Sequence, residues 1–170
     1  MSTDSAPRFL MDAQGSVTAT TVLILADGET RTADTDDTAL VLAPIHDADS
    51  LGAATGVPRL APAPSVTALR DALLAQPRLA LAFDSFGEGR PYSQARQLRA
   101  AGYQGQLIAS GPAVVCDKVV PMRELGIDAF LFVDEAEARR SAERLRAATE
   151  TLPAPSPARA YRPVHRTGVT

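Results

Sequence analysis

Leu79-Ala80-Leu81-Ala82-Phe83, then Ser93 to Ala101 closed by Gly102, then Gln106-Leu107-Ile108-Ala109: these three pieces follow one another with short connections, and their reading decides the fold. The first and last are short apolar runs of strand length, and the middle piece carries helical periodicity ended by a glycine. The same alternation extends downstream. A short helix ends at Leu125-Gly126, and Ala129-Phe130-Leu131-Phe132-Val133 is a further strand. Asp134 and Glu137 then make a capping-box-like start for a last helix whose narrow apolar face is Ala138, Ala142 and Leu145. Upstream, Ser65 is a good N-cap for a helix with Val66, Leu69 and Leu73 on one face, stopped by Pro77. Before it, Pro58 to Pro64 reads as a linker and Ala39-Leu40-Val41-Leu42-Ala43-Pro44 as a buried strand. Val22-Leu23-Ile24-Leu25, ahead of the Asp27-Gly28 turn and an acidic stretch through Asp37, adds N-terminal extra strands and an exposed loop.

Strand and helix in alternation imply parallel pairing and right-handed crossovers. The fold class expected is therefore α/β: layered βαβ units with a mainly parallel sheet, either open and flavodoxin-like or curved like part of a (β/α) barrel. The local pattern is the same for both. In either form, ligands prefer the carboxyl ends of the strands.

At 170 residues the chain has the length of one domain. Residues 1–7 read as a disordered N-terminus, 8–151 as a single α/β domain, and 152–170 as a disordered tail. That tail holds Pro153, Pro155, Pro157 and Pro163 with Arg159, Arg162, His165 and Arg166. Hydrophobic residues make up 45 % of the chain but aromatics only 5 %, so the core is expected to be thin. A net charge of −3 without a basic cluster argues against nucleic acid as a partner. No apolar run approaches the ~20 residues needed to span a bilayer, and the start lacks a secretory apolar segment, so a cytoplasmic protein away from the membrane is expected. Cys116 is the only cysteine, which excludes an internal disulfide and a thiol pair for redox cycling.

The densest chemistry lies between Phe83 and Arg99, at a strand's carboxyl end, a turn and a helix start. Gly87 and Gly89 permit close backbone approach, the helix start after Pro91 offers unpaired N–H groups, and Arg90 and Arg96 carry two guanidinium groups beside Ser93. This set, with Tyr92 as a lining residue, is what a small anionic ligand needs. A purely structural reading stands beside it: glycines for a tight turn, Ser93 as a cap, and Arg90 paired with Asp84 or Glu88.

This stretch is also where the chain resembles a known family. Gly89-Arg90-Pro91-Tyr92-Ser93-Gln94-Ala95-Arg96-Gln97-Leu98-Arg99, Gly102-Tyr103-Gln104-Gly105-Gln106-Leu107 and Arg123-Glu124-Leu125-Gly126-Ile127-Asp128-Ala129-Phe130 are similar, in order and spacing, to the domain of unknown function 934 family. These are uncharacterised bacterial proteins labelled as oxidoreductases of sulfite reduction. Two departures stand out. The family's Gly-Asp-Val turn is replaced by Gly111-Pro112-Ala113-Val114, without the acidic side chain, and Pro121 interrupts the helix after Asp117, which is then expected to begin near Val120.

The resemblance implies a role in sulfate assimilation beside sulfite reductase, or another enzyme of that pathway, as partner. The chain's own residues supply little redox equipment. An iron–sulfur cluster needs about four thiolates, and His46 and His165 are far apart in sequence. Gly87-x-Gly89 is followed by Tyr92 where a dinucleotide fingerprint has its third glycine. No cofactor is expected; a flavin would have to be held without a recognisable motif. Two functions follow: an accessory protein of sulfite reduction that is not a self-sufficient redox enzyme, or a small enzyme or binding domain for an oxyanion or phosphate-bearing ligand at the Gly-Arg loop. Whether the chain is itself catalytic stays open. Cys116, among valines, reads as a small buried hydrophobe, and Asp128, at a strand start, as structural.

Overall fold

The computed structural model describes residues 4–27, 29 and 39–151. Seven strands close into a barrel in chain order: β1 (Asp4–Asp12), β2 (Val17–Ile24), β3 (Leu40–Ile45), β4 (Val57–Leu60), β5 (Arg78–Ala82), β6 (Gln106–Ser110) and β7 (Ala129–Phe132). From β2 to β7 neighbouring strands run parallel, whereas β1 is antiparallel to both β2 and β7 and joins the two ends of the sheet. Helices α1 (Ala48–Ala53), α2 (Arg70–Leu74), α3 (Arg90–Ala100), α4 (Val119–Glu124) and α5 (Glu135–Thr151) lie in the connections and after the last strand.

This corrects the layered, mainly parallel α/β sheet expected from the sequence. The sheet has no open edge, and its mixed character comes from β1. That strand begins at Asp4, within the segment read as a disordered N-terminus, and from Phe9 to Met11 its side chains alternate between two apolar environments. Phe9 and Met11 face the outer core while Leu10 packs inside the barrel. A tight turn holds the β1–β2 hairpin: the Asp12 carboxylate accepts from the N–H groups of Gln14 and Ser16 at 2.9 and 2.8 Å, and Gly15 takes a φ of 80°. The second correction is β4, which lies in what reads as a proline linker. Pro58 pairs with Ala43 of β3, and pairing to β5 starts only at Arg59, so the missing N–H falls where the strand is just entering the sheet.

Two apolar layers result. Inside the barrel, Val22, Leu40, Leu42, Ala80, Ile108, Ala129 and Leu131 fill the lumen. Outside it, Leu60, Leu79, Leu81, Leu107, Phe130 and Phe132 meet Leu73, Leu98, Met122 and Leu145 from the helices. Each such buried leucine or phenylalanine contributes about 1.5–3 kcal/mol. Alanines at zero or near-zero exposure, Ala95, Ala138 and Ala142, let α3 and α5 approach the barrel closely. Helix α5 is capped as its sequence suggests, with the Asp134 carboxylate accepting from Glu137 N–H at 2.8 Å. Pro121 sits in the first turn of α4, after a 3-10 turn at Cys116–Lys118, where its absent N–H leaves no helical bond broken. The tail 152–170 lies outside the described residues.

Candidate functional site at the carboxyl mouth of the barrel

Residues on one face of a strand alternate, so the lumen-facing set can be followed to the carboxyl end of each parallel strand. On β4, Val57 packs into the lumen and Leu60 outward, which places Arg59 on the lumen face at the top of the barrel. On β6, Ile108 is in the lumen, and Ser110 is the next residue up on that face. The two meet: Arg59 Nε donates to Ser110 Oγ at 2.8 Å, and Ser110 Oγ in turn donates to the Leu81 carbonyl at 3.3 Å. Asp84, just past the end of β5, completes the cluster by accepting from Arg59 Nη2. Arg59 is 12 % exposed and Asp84 54 %, so the guanidinium is sunk in the mouth while its carboxylate partner stands at the rim in water. Among the described residues Nη1 of Arg59 has no hydrogen-bond partner.

The loops around this cluster are shaped by its neighbours. Gly111, with a φ of 129°, is required: a Cβ there would lie 2.4 Å from the Phe83 carbonyl oxygen and 2.8 Å from the Asp84 carboxylate. The altered turn Gly111-Pro112-Ala113-Val114 is tied down by Ala113 N–H donating to Phe83 O at 2.9 Å and Val114 N–H donating to Gly111 O at 3.1 Å. On the other side, buried Gln94 of α3 donates through Nε2 to the carbonyls of Ala61 and Pro64, at 2.9 and 3.2 Å, and fixes the loop after β4. The large hydrophobic side chains most exposed among the described residues also lie at this end: Phe86 in the β5–α3 loop, at 68 %, and Val133 just beyond β7, at 63 %.

The sequence-predicted residues fall beside this mouth rather than in it. Arg90, Ser93 and Arg96 are exposed. Arg90 and Arg96 stand six residues apart on α3, roughly 9 Å along the axis and ~120° around it, so the helix does not aim them at one point. Ser93 is inside the first turns rather than at the cap, which is Gly89 and makes no side-chain bond. Glu88 accepts from the backbone N–H of Arg90 at 2.9 Å, while Asp84 is engaged by Arg59. Gly87 and Gly89 have no positive φ, and a Cβ on either would meet nothing within 4 Å. Tyr92 packs edge-on against Phe83, centroids 5.1 Å apart, and its burial raises the phenol pKa. Cys116 is half-buried rather than enclosed; its N–H donates to Glu137 at 2.7 Å. That bond, with the Arg140 contact, lowers the Glu137 pKa.

The opposite, amino end carries a second arginine cluster of different character. Arg99 donates to the carbonyls of Gly126, Tyr103 and Gly105 and to the Asp128 carboxylate, using Nε and both Nη atoms at 2.6–3.0 Å. Asp128 also accepts from Leu107 N–H at 2.9 Å. The Tyr103 ring lies under the guanidinium at 5.3 Å, and burial pushes its hydroxyl pKa up to about 12. Gly126, at φ 93°, leaves the space that Arg99 crosses. Arg99, Tyr103, Gly105, Gly126 and Asp128, all within the stretches that resemble the domain of unknown function 934 family, thus build a clamp.

The model of that family, described as bacterial proteins of unknown function (DUF934), matches residues 57–155. The chain belongs to this family. The match spans β4 to the end of α5 and so includes both arginine clusters. No curated protein and no solved structure matches the chain. Among the described residues, no three His, Cys, Asp or Glu side chains gather as a metal site requires, and no helix is long and apolar enough to cross a membrane.

Proposed function

We propose that this DUF934 protein binds a small oxyanion or phosphate-bearing ligand at the carboxyl mouth of its barrel, and that it serves assimilatory sulfite reduction in the cytoplasm as an accessory to sulfite reductase. The observation that carries the ligand reading is the placement of Arg59: a guanidinium held inside the lumen rim by Ser110, with Nη1 unpaired among the described residues and a solvent-exposed carboxylate as its outer partner. Carboxyl ends of parallel strands are where barrels hold ligands. A charge-assisted bond from a recessed guanidinium is strong because water screens it little. Asp84, at the rim, can turn to solvent when a ligand oxygen takes its place.

The sulfite-reduction setting is supported by the family resemblance alone, and two experiments test the parts separately. A thermal-shift panel of sulfite, sulfate, phosphate, nucleotides and flavin should show stabilisation by at least one anion, lost in Arg59→Gln; no shift with any of them removes the ligand reading. In a deletion strain, growth restored by sulfide but not by sulfite would support the pathway assignment. Unchanged growth on sulfate would remove it.

A second reading, a protein that docks its partner through the mouth without a small ligand, is favoured by exposed Phe86 and Val133. It predicts copurification with sulfite reductase that Phe86→Ser abolishes and Arg59→Gln does not.

A further inference from the structure

The connections after β2 and β3 bring a histidine paired with a carboxylate to the same mouth. On β3, Leu42 packs into the lumen and Ile45 outward, so Pro44 and His46 continue the lumen face. Pro44 is in register with Arg59, and His46 stands two residues further out, just past the strand end. With ~3.3 Å per residue and ~4.8 Å between strands, the Cα atoms of His46 and Arg59 are roughly 8 Å apart. Through Nε2 the His46 ring bonds the Asp27 carboxylate at 2.8 Å. When Asp27 accepts Nε2–H, Nδ1 carries the lone pair, and among the described residues Nδ1 has no hydrogen-bond partner. The ring is 48 % exposed, open to a molecule in the mouth.

The carboxylates around the ring are each engaged. Asp27 holds His46, Asp84 holds Arg59, Glu29 accepts from Ala26 N–H at 2.9 Å, and Asp47 accepts from Ser50 N–H at 2.9 Å. A carboxylate on one imidazole nitrogen orients the ring as a base and stabilises the imidazolium formed when the other nitrogen takes a proton. Ser110 draws the guanidinium toward β6 while Asp27 draws the ring toward β2, so a small acid can lie between them. Resting on the reading of the mouth as an anion site, we infer that His46 is the base of a proton transfer on a small 2-oxo acid whose carboxylate rests on Arg59, with Asp27 as a positioning residue. Such an acid carries its acidic C–H two bonds from its carboxylate, so one molecule presents an end to each group. His46 Nδ1 takes the proton from the carbon beside the carbonyl. The C–H electron pair becomes the C=C bond, and the carbonyl pair moves onto oxygen as an enolate, whose charge the guanidinium offsets. The protonated ring then returns a proton to the same carbon, so no oxidant, reductant or nucleophile is consumed. Ser110 is unsuited to attack, since its hydroxyl accepts from Arg59 and donates to the Leu81 carbonyl.

Deuterium exchange of the methyl protons of pyruvate in D2O, followed by proton NMR with the full chain, tests this. The inference expects exchange at least about 100-fold faster than with the same concentration of free imidazole, and inhibited by sulfate. His46→Gln should lose about 100-fold or more, Asp27→Asn should lower kcat about tenfold with KM unchanged, and Arg59→Gln should raise KM about tenfold. His46 and Asp27 are exposed, so their variants keep the fold. Exchange by the unmodified chain no faster than with imidazole, or exchange that survives His46→Gln, overturns the inference. The mouth reading outlives that result if sulfate still stabilises the unmodified chain and not Arg59→Gln. An Asp27→Asn variant that changes KM alone overturns the positioning role. Exchange that needs His46 but is neither inhibited by sulfate nor altered in Arg59→Gln removes the anion site, and the inference with it.

Discussion

The two ends of this barrel each contain an arginine, a carboxylate and a glycine that makes room, yet they are built to opposite effect. At the amino end every nitrogen of Arg99 is spent on the protein's own carbonyls and on Asp128, and Tyr103 covers the ion pair. At the carboxyl mouth, among the described residues, Arg59 makes fewer bonds, leaves Nη1 without a partner, and meets a carboxylate that stands in water. Bonds that satisfy a buried charge internally hold a fold together. A recessed charge with spare donors is what a ligand can use. An arginine in a family motif is therefore no sign of chemistry by itself; what distinguishes the two is where the donors go.

The contrast can be broken in order of expected effect. Arg99→Met should destabilise the protein by about 3 kcal/mol, because it strands three carbonyls and the Asp128 carboxylate; the partial exposure of that pair keeps the figure from being larger. Urea denaturation checks it, and a loss below about 1 kcal/mol would deny the clamp its role. Gly111→Ala should cost about 2 kcal/mol, since it forces both a positive φ and a clash with Phe83, while Gly87→Ala and Gly89→Ala should stay within about 0.5 kcal/mol. Thermal melts of the three variants read the difference directly.

Arg59→Gln should change stability by less than about 1 kcal/mol, the scale of a partly exposed ion pair, while removing anion-induced stabilisation. The reverse outcome, a large stability loss with ligand response intact, would make the mouth a second clamp.

The smallest effect is a pH dependence. Burial raises the Tyr103 pKa to about 12 in the folded chain, so the phenol favours the native state below the unfolded value of about 10. That contribution declines as pH rises between those values, and Tyr103→Phe should flatten the alkaline loss of stability from pH 10 to 12 while leaving pH 7 stability nearly unchanged.

Much of the strand and helix sequence was legible. The apolar runs at Leu40–Ala43, Leu79–Ala82, Gln106–Ala109 and Ala129–Phe132 are strands, and the faces of Val66, Leu69 and Leu73 and of Ala138, Ala142 and Leu145 are buried. Closure was not legible, because hydrophobic alternation reports a residue's face and not whether the last strand meets the first. β1 was hidden by its polar residues and Pro7, and β4 by Pro58 and the prolines that follow. The Arg59 cluster was hidden for the same reason. Arg59 sits inside an apparent linker, while the glycine-rich turn at Gly87 and Gly89, with Arg90 and Arg96 on the helix that follows, carries the denser signal. The alternation of Val57, Arg59 and Leu60 was the available signal: a charge on the inner face of a short strand, one residue before the chain leaves the sheet.

The most direct test is an amide NMR titration of the full chain with sulfate. The account predicts shifts confined to the mouth, at Arg59, Ala82 to Asp84, Ser110, Gly111 and Val133, with Arg99, Gly105, Gly126 and Asp128 unmoved. Shifts centred on Arg90 to Arg96, or no shift anywhere, would contradict it.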